Sequence, residues 1–399
     1  MSIEKKEEEV RFRDFLRFGE RSGFSSILNS MPEKRKSPEI GSGMVAQGVA
    51  VGAGLGVESL RHLDHALKEP GVRRGLRSDR ERVASDTTVE RVCGMTPKSW
   101  ARVSLRASWR RMRSEGLLGV NLQGKRLRVG VIDGTMLGGF MSSVLVEVGR
   151  VAAPICLGRI PKRGKELPVS EAVLQHVAGK EGQGFLSHLL GDGLYAAESF
   201  WRSCEAIGTA GVVKTDEVGS LLILQDANGI FDASPSLPGV EFVEGLDPVR
   251  GCSYKVWAVA EMPWSNTERR LKVARVTETW LKGRFKGQTL SFWVISQDQT
   301  LDAVSLRELG HLRWFIENKV FRSFNEQANT KHCFSRNSRT ALVIAALQMI
   351  GVLWVNAWRH ALSTFKDRIR SLWDHGTFPL RRLRAKLWST LNLGEADTG

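Results

Sequence analysis

The chain has 399 residues and few thiols, none arranged in pairs. Its five cysteines (Cys93, Cys156, Cys204, Cys252 and Cys333) include no C-x-x-C, and their number is odd. That excludes a disulfide scaffold and a zinc ribbon, and it fits a reducing compartment. No apolar segment follows the charged start MSIEKKEEEV, so no secretory signal is expected. No apolar run reaches the roughly twenty residues of a membrane span. The longest, Ala341 to Val355, predicts a buried core helix. The glycine-rich stretch Gly48 to Val57 has Val57 where G-x-G-x-x-G needs its last glycine. A tight turn entering a helix is expected there, not a dinucleotide loop. What the chain has in excess is positive charge: 58 Lys and Arg against 43 Asp and Glu, a net charge of +15 and a pI near 9.9. Lys and Arg that neutralise phosphates release counterions, so a polyanionic partner is the first expectation. The plain alternative is a basic surface that aids solubility.

The length allows two to four domains at roughly 100–200 residues each. Residues 1–120 read as a helical N-terminal region, with the linker-like MPEKRKSPEIGSG at 31–43. His62 and His65 stand three apart with no third ligand nearby, which favours ordinary surface histidines. Thr87 and Glu90 form a capping box, and Thr96-Pro97 predicts an N-cap with proline at the first helical position. In the helix that follows, Arg102, Arg106, Arg110 and Arg113 recur on one face. A solvated face usually mixes signs, so this stripe predicts phosphate contact.

The pattern changes at Lys125. Strand-like and helix-like segments alternate through 121–217, indicating an α/β domain with a mixed sheet. Residues 218–296 hold the runs YKVWAVAEM, LKVARVTETW and LSFWVIS between Gly, Pro and Asn turns, with no long helical period. They are expected to form a β-rich insertion. Helices resume over 297–340 and 341–399, ending in the basic tail PLRRLRAKLW at 379–388.

Three acids stand out by position. Asp133 ends an apolar strand in GVIDGT, Asp192 ends another in LLGDGLY, and Glu317 lies in the helical RELGHLRWFIENKVF. An acid against buried surface is costly unless paired or coordinated. Each Asp-Gly alone would be an ordinary turn. Together the three suit metal-dependent attack on a phosphodiester, in which two divalent ions activate the entering oxygen and stabilise the leaving one. Carboxylates suit Mg²⁺, and no thiol or imidazole is needed. Arg313 precedes Glu317 by four residues on a largely apolar helix.

Asp133, Asp192 and Glu317, the RWFIEN segment and the β-rich insertion resemble the bacterial insertion-sequence transposases of the D-D-E class. The GKEL, DGLYAAESF and VVKTDE stretches are similar to that family as well. The nearest subgroup carries a Y-x2-R-x3-E-x6-K signature. Arg313 and Glu317 fit it, whereas Gly310 and Phe324 stand where its tyrosine and lysine would fall.

The resemblance implies an RNase H-like catalytic domain interrupted by the insertion, within an α/β chain with helical N- and C-terminal parts. It implies that Asp133, Asp192 and Glu317 hold Mg²⁺ or Mn²⁺ and that Arg313 touches the DNA backbone, with Lys319, Arg322 or Lys331 supplying the missing positive charge. An aromatic of the insertion stacks on a flipped base in some relatives, which makes Trp293, with Trp264 and Trp280, a candidate here. The expected partners are double-stranded DNA with terminal inverted repeats, target DNA and a second copy in a synaptic complex. No membrane is expected, and the expected location is the bacterial cytoplasm at the nucleoid. A metal-dependent nuclease and a non-catalytic DNA-binding remnant are the alternatives.

Overall fold

The computed structural model describes residues 3–68, 72–73, 76, 84–216, 221–233 and 237–368, without the side chains at 3–11, 284, 317–319 and 363–368. The basic tail at 379–388 lies outside the described residues. The chain forms two compact units. One comprises Met1–Leu118, Gly134–Arg163 and Lys319–Gly399, the other Gly119–Asp133 and Gly164–Asn318.

The strands are β1 (Val120–Leu122), β2 (Lys125–Leu127), β3 (Val129–Leu137), β4 (Phe140–Glu147), β5 (Ala153–Arg159), β6 (His188–Gly191), β7 (Ala210–Thr215), β8 (Val240–Asp247), β9 (Cys252–Pro263), β10 (Arg270–Trp280) and β11 (Thr289–Ser296). In the second unit the start of β3 lies parallel to β6, and β6 parallel to β7. The helix Glu198–Ala206 makes the crossover from β6 to β7. All four residues of β6 are buried, as a parallel strand covered on both faces requires. Beyond β7 the sheet continues antiparallel through β11, β10, β9 and β8. The result is a large mixed sheet with helices packed on it.

The strand-like runs expected within 218–296 are β9, β10 and β11. A helix also lies there, Leu222–Ala233, where none was expected. Asn228-Gly229 resembles a turn signal, but Ile223, Leu224, Ala227 and Phe231 form one buried stripe. Tertiary burial outweighs the local preference.

The first unit is built around the helix Ser338–Arg368. Residues Ala341–Val355 are buried throughout, as the sequence predicts. Residues Ser338–Leu362 are long and apolar enough to cross a membrane, yet 94% of their most apolar window is buried in the protein. The helix Ser42–Leu55 packs on it. That helix contains most of GVAVGAGLGV, so the expected entry turn is instead helix interior, and the chain leaves it at Gly56. The reason is close approach. A Cβ on Gly351 would fall 2.1 Å from the Ala50 carbonyl oxygen. Glycine in a helix costs about 1 kcal/mol, and here the cost is offset by packing backbone against backbone. Two expected helix starts also move. Ser85, not Thr87, caps the helix Asp86–Met95, accepting from the Thr88 amide. Pro97 is itself the N-cap of the helix Lys98–Ser114, and Thr96 donates back to the Val92 carbonyl.

Candidate active site

The site forms within the second unit, where parallel pairing fixes two acids. Val129, Gly130 and Val131 of β3 pair with His188, Leu189 and Leu190 of β6. Continuing that register by two residues sets Asp133 opposite Asp192. Asp133 does not end its strand, since β3 runs on to Leu137. Its side chain is 9% exposed. Asp192 directly follows β6 and caps the short turn Gly193–Tyr195, its Oδ1 accepting from the Leu194 amide at 2.9 Å. The capping role expected of an Asp-Gly is therefore real, and it uses one oxygen.

The other oxygen faces Arg313. The helix Ala303–Phe315 starts at Asp302, whose side chain accepts from the Ser305 amide. It buries Leu306, Leu309, Gly310 and Arg313, so Arg313 falls on the inward stripe by helical spacing. Its Nη2 lies 3.4 Å from Asp133 Oδ2 and 3.4 Å from Asp192 Oδ2. One guanidinium, 4% exposed, thus bridges two carboxylates from adjacent strands.

The signature departures have packing reasons. A Cβ on Gly310 would fall 2.6 Å from a Phe292 ring carbon, because the helix lies directly on β11. No side chain fits there, least of all tyrosine. Phe324 is 2% exposed and belongs to the apolar core of its unit, where a lysine would be buried.

After Phe315 the helix widens into a π turn, Ile316–Phe321. Such turns are uncommon and cluster at functional sites. The Glu317 backbone lies in this turn, while the side chains of Glu317 and Lys319 lie outside the described residues. Among the described residues no group of three His, Cys, Asp or Glu is set to hold a metal. Two carboxylate oxygens turned to one cation are nevertheless the hard donors that Mg²⁺ takes.

Tyr195 and Glu166 were not singled out from the sequence, although DGLYAAESF and GKEL contain them. The Tyr195 hydroxyl donates to Glu166 Oε1 at 3.1 Å and lies 2.9 Å from Ser170 Oγ. Burial pushes this phenol up, and the nearby charges of Glu166 and Asp133 push it further. Tyr195 therefore remains protonated and ties a helix to the acidic site.

The other expected contacts are scattered. Arg106 is 7% exposed, Arg102 donates to the Leu157 carbonyl, and Arg113 pairs with the buried Glu147 at 3.6 Å. Of the four stripe arginines only Arg110 is exposed. Packing against elements distant in sequence, invisible in a one-sided spacing count, buries Arg106 and half-buries Arg102 and Arg113. Trp293 is 2% exposed and stacks on Phe231; Trp264 packs edge-on against Trp201. Trp280 is half-buried beside Phe285. Trp293 and Trp264 are core tryptophans, closed to a flipped base. Arg322 pairs with Glu326 on an exposed helix face, and Lys331 is exposed; both belong to the first unit.

A second ionic cluster was not foreseen. Arg307, buried at 2% side-chain exposure, bonds Glu278, Glu308 and Asp247 and stacks on Tyr254. Arg250 bonds Asp247 and Glu308. Burial pushes the Asp247 carboxyl up, but the arginine bonds outweigh it and hold it at about 2. These charges satisfy one another and brace the helix Ala303–Phe315 against β8 and β10.

No family model and no curated protein matches the chain. The fold and site define a mixed α/β protein with two strand-borne carboxylates bridged by a buried arginine. Among solved structures, a cryo-EM structure of the piggyBac transposase synaptic complex with hairpin DNA is similar at 11% identity, covering 95% of this chain and 77% of that one with a TM-score of 0.38. At that score the likeness is distant, and nothing about activity passes from one chain to the other.

Proposed function

We propose that this chain is a DNA transposase of the D-D-E class, of the kind found in bacterial insertion sequences. It would bind the terminal inverted repeats of its element and carry out divalent-ion-dependent cleavage and strand transfer. One observation carries the reading: Asp133 and Asp192, from adjacent parallel strands, turn their oxygens to one cation, with Glu317 four residues beyond that cation's own position. Asp133, Asp192 and Glu317 would hold Mg²⁺ or Mn²⁺, which supplies activation of an oxygen nucleophile and charge stabilisation at phosphorus. Asp192 would be oriented by its bond from the Leu194 amide and Asp133 by the strand it belongs to. Arg313 would contact the DNA backbone near the cut. The net charge of +15 would draw in the duplex, and cutting two element ends implies a homodimer working on chromosomal DNA in the cytoplasm.

The test uses duplexes taken from the DNA on either side of the gene, where the inverted repeats are expected. Asp133→Asn is expected to retain binding and lose Mg²⁺-dependent nicking. Nicking at the wild-type rate would remove the proposed role of Asp133. With a pre-cut end, the wild type is expected to join the 3′ hydroxyl to target DNA; cutting without joining would make it a nuclease.

A further inference from the structure

We propose that Arg313 is a built-in counter-cation which a divalent ion must displace, and that DNA phosphate draws it away, so that metal and substrate load together. This rests on Asp133 and Asp192 being metal ligands. Asp192 Oδ1 already accepts from the Leu194 amide, so Oδ2 is the oxygen with more lone-pair capacity left for a cation. That oxygen and Asp133 Oδ2 are the two that Arg313 Nη2 faces, each at 3.4 Å. Metal and guanidinium therefore contend for the same oxygens.

A divalent ion seated about 2.1 Å from those oxygens would lie within a few ångströms of a second positive charge. Arginine does not relieve this by losing a proton, because guanidinium stays charged in proteins. At 3% exposure Arg313 is also poorly screened by solvent. A phosphodiester offers the guanidinium a two-pronged anionic partner of matching geometry. When DNA takes the guanidinium, the acids lose their counter-cation and their affinity for metal rises. By reciprocity, metal tightens DNA by the same factor. Asp192, 39% exposed, gives the ion a route in from solvent.

The experiment is a Mn²⁺ titration of the full chain, reading free Mn²⁺ by electron paramagnetic resonance, with and without a short duplex of arbitrary sequence. Mn²⁺ held by the duplex alone is subtracted. Arg313→Gln is expected to bind Mn²⁺ about tenfold tighter than wild type. The duplex should tighten Mn²⁺ binding to the wild type and leave Arg313→Gln unchanged. If Arg313→Gln does not fold, Arg313→Met serves, because it keeps a long side chain that packs without the charge; its affinity should likewise lie above wild type. Equal or weaker binding by the Arg313 variants, with binding lost in Asp133→Asn, would overturn the counter-cation while leaving the metal site standing. No Mn²⁺ bound by any form, with or without duplex, would overturn both.

Discussion

Gly310 sets how closely the arginine-bearing helix approaches the sheet. Gly310→Ala would put a Cβ 2.6 Å from the Phe292 ring and should destabilise the unit by about 1–3 kcal/mol, read by chemical denaturation. Unchanged stability would mean that the helix can lift. A second residue sets a pH dependence. His188 lies 3.0 Å from Asp298, and burial holds its imidazole below the ordinary 6.5 despite that partner. The neutral ring is the form the fold favours. Its contribution is therefore complete above pH 6.5 and is lost as pH falls through the lowered value. His360 is lowered too, by burial and by Arg150, so the check is a difference: His188→Gln should flatten the loss of thermal stability between pH 7.5 and 5.5 relative to wild type. An identical slope would assign the effect elsewhere. At this scale the two aspartates were legible, because each ends or interrupts an apolar run beside glycine. Tyr195 was not, since a buried tyrosine in a helical stretch gives no sign of the carboxylate it meets.

Elements were legible where one period dominated. Strands β4 and β5 fall on either side of the break expected near Gly149, and the helix Glu166–Glu181 covers most of KELPVSEAVLQHV. Two departures are glycines inside helices, in Gly48–Val57 and at Asn228-Gly229, where burial of the helix face outweighs the local turn preference. Two helix substitutions separate these roles. Gly351→Ala would drive a Cβ into the Ala50 carbonyl and should cost about 3 kcal/mol, whereas Gly229→Ala meets nothing within 4 Å and should gain roughly 0.5–1 kcal/mol from helix propensity. Thermal melts of both variants decide the matter; a neutral Gly351→Ala would show that the two helices have slack. The arginine stripe failed for a related reason. Spacing assigns residues to a helix face, but burial of that face depends on elements far away in sequence.

For the whole molecule, charge was the most accessible property. The excess of positive charge predicts duplex binding whose logarithm falls linearly with the logarithm of salt. Arg110→Ala should make that slope shallower by about one, while Arg106→Ala, at a buried position, should lower the melting temperature instead. A change of slope for Arg106 with no change in stability would reverse these assignments. The two-unit architecture was not legible, because each unit is assembled from separated segments and no local pattern marks where β3 passes from one to the other.

The central claim is that Asp133, Asp192 and Glu317 converge on a divalent ion. Anomalous diffraction from crystals soaked in Mn²⁺ tests it most directly. A peak about 2.1 Å from oxygens of Asp133 and Asp192, with the Glu317 carboxylate in the same coordination shell, is the predicted result. A peak elsewhere, or a Glu317 carboxylate outside that shell, would contradict it.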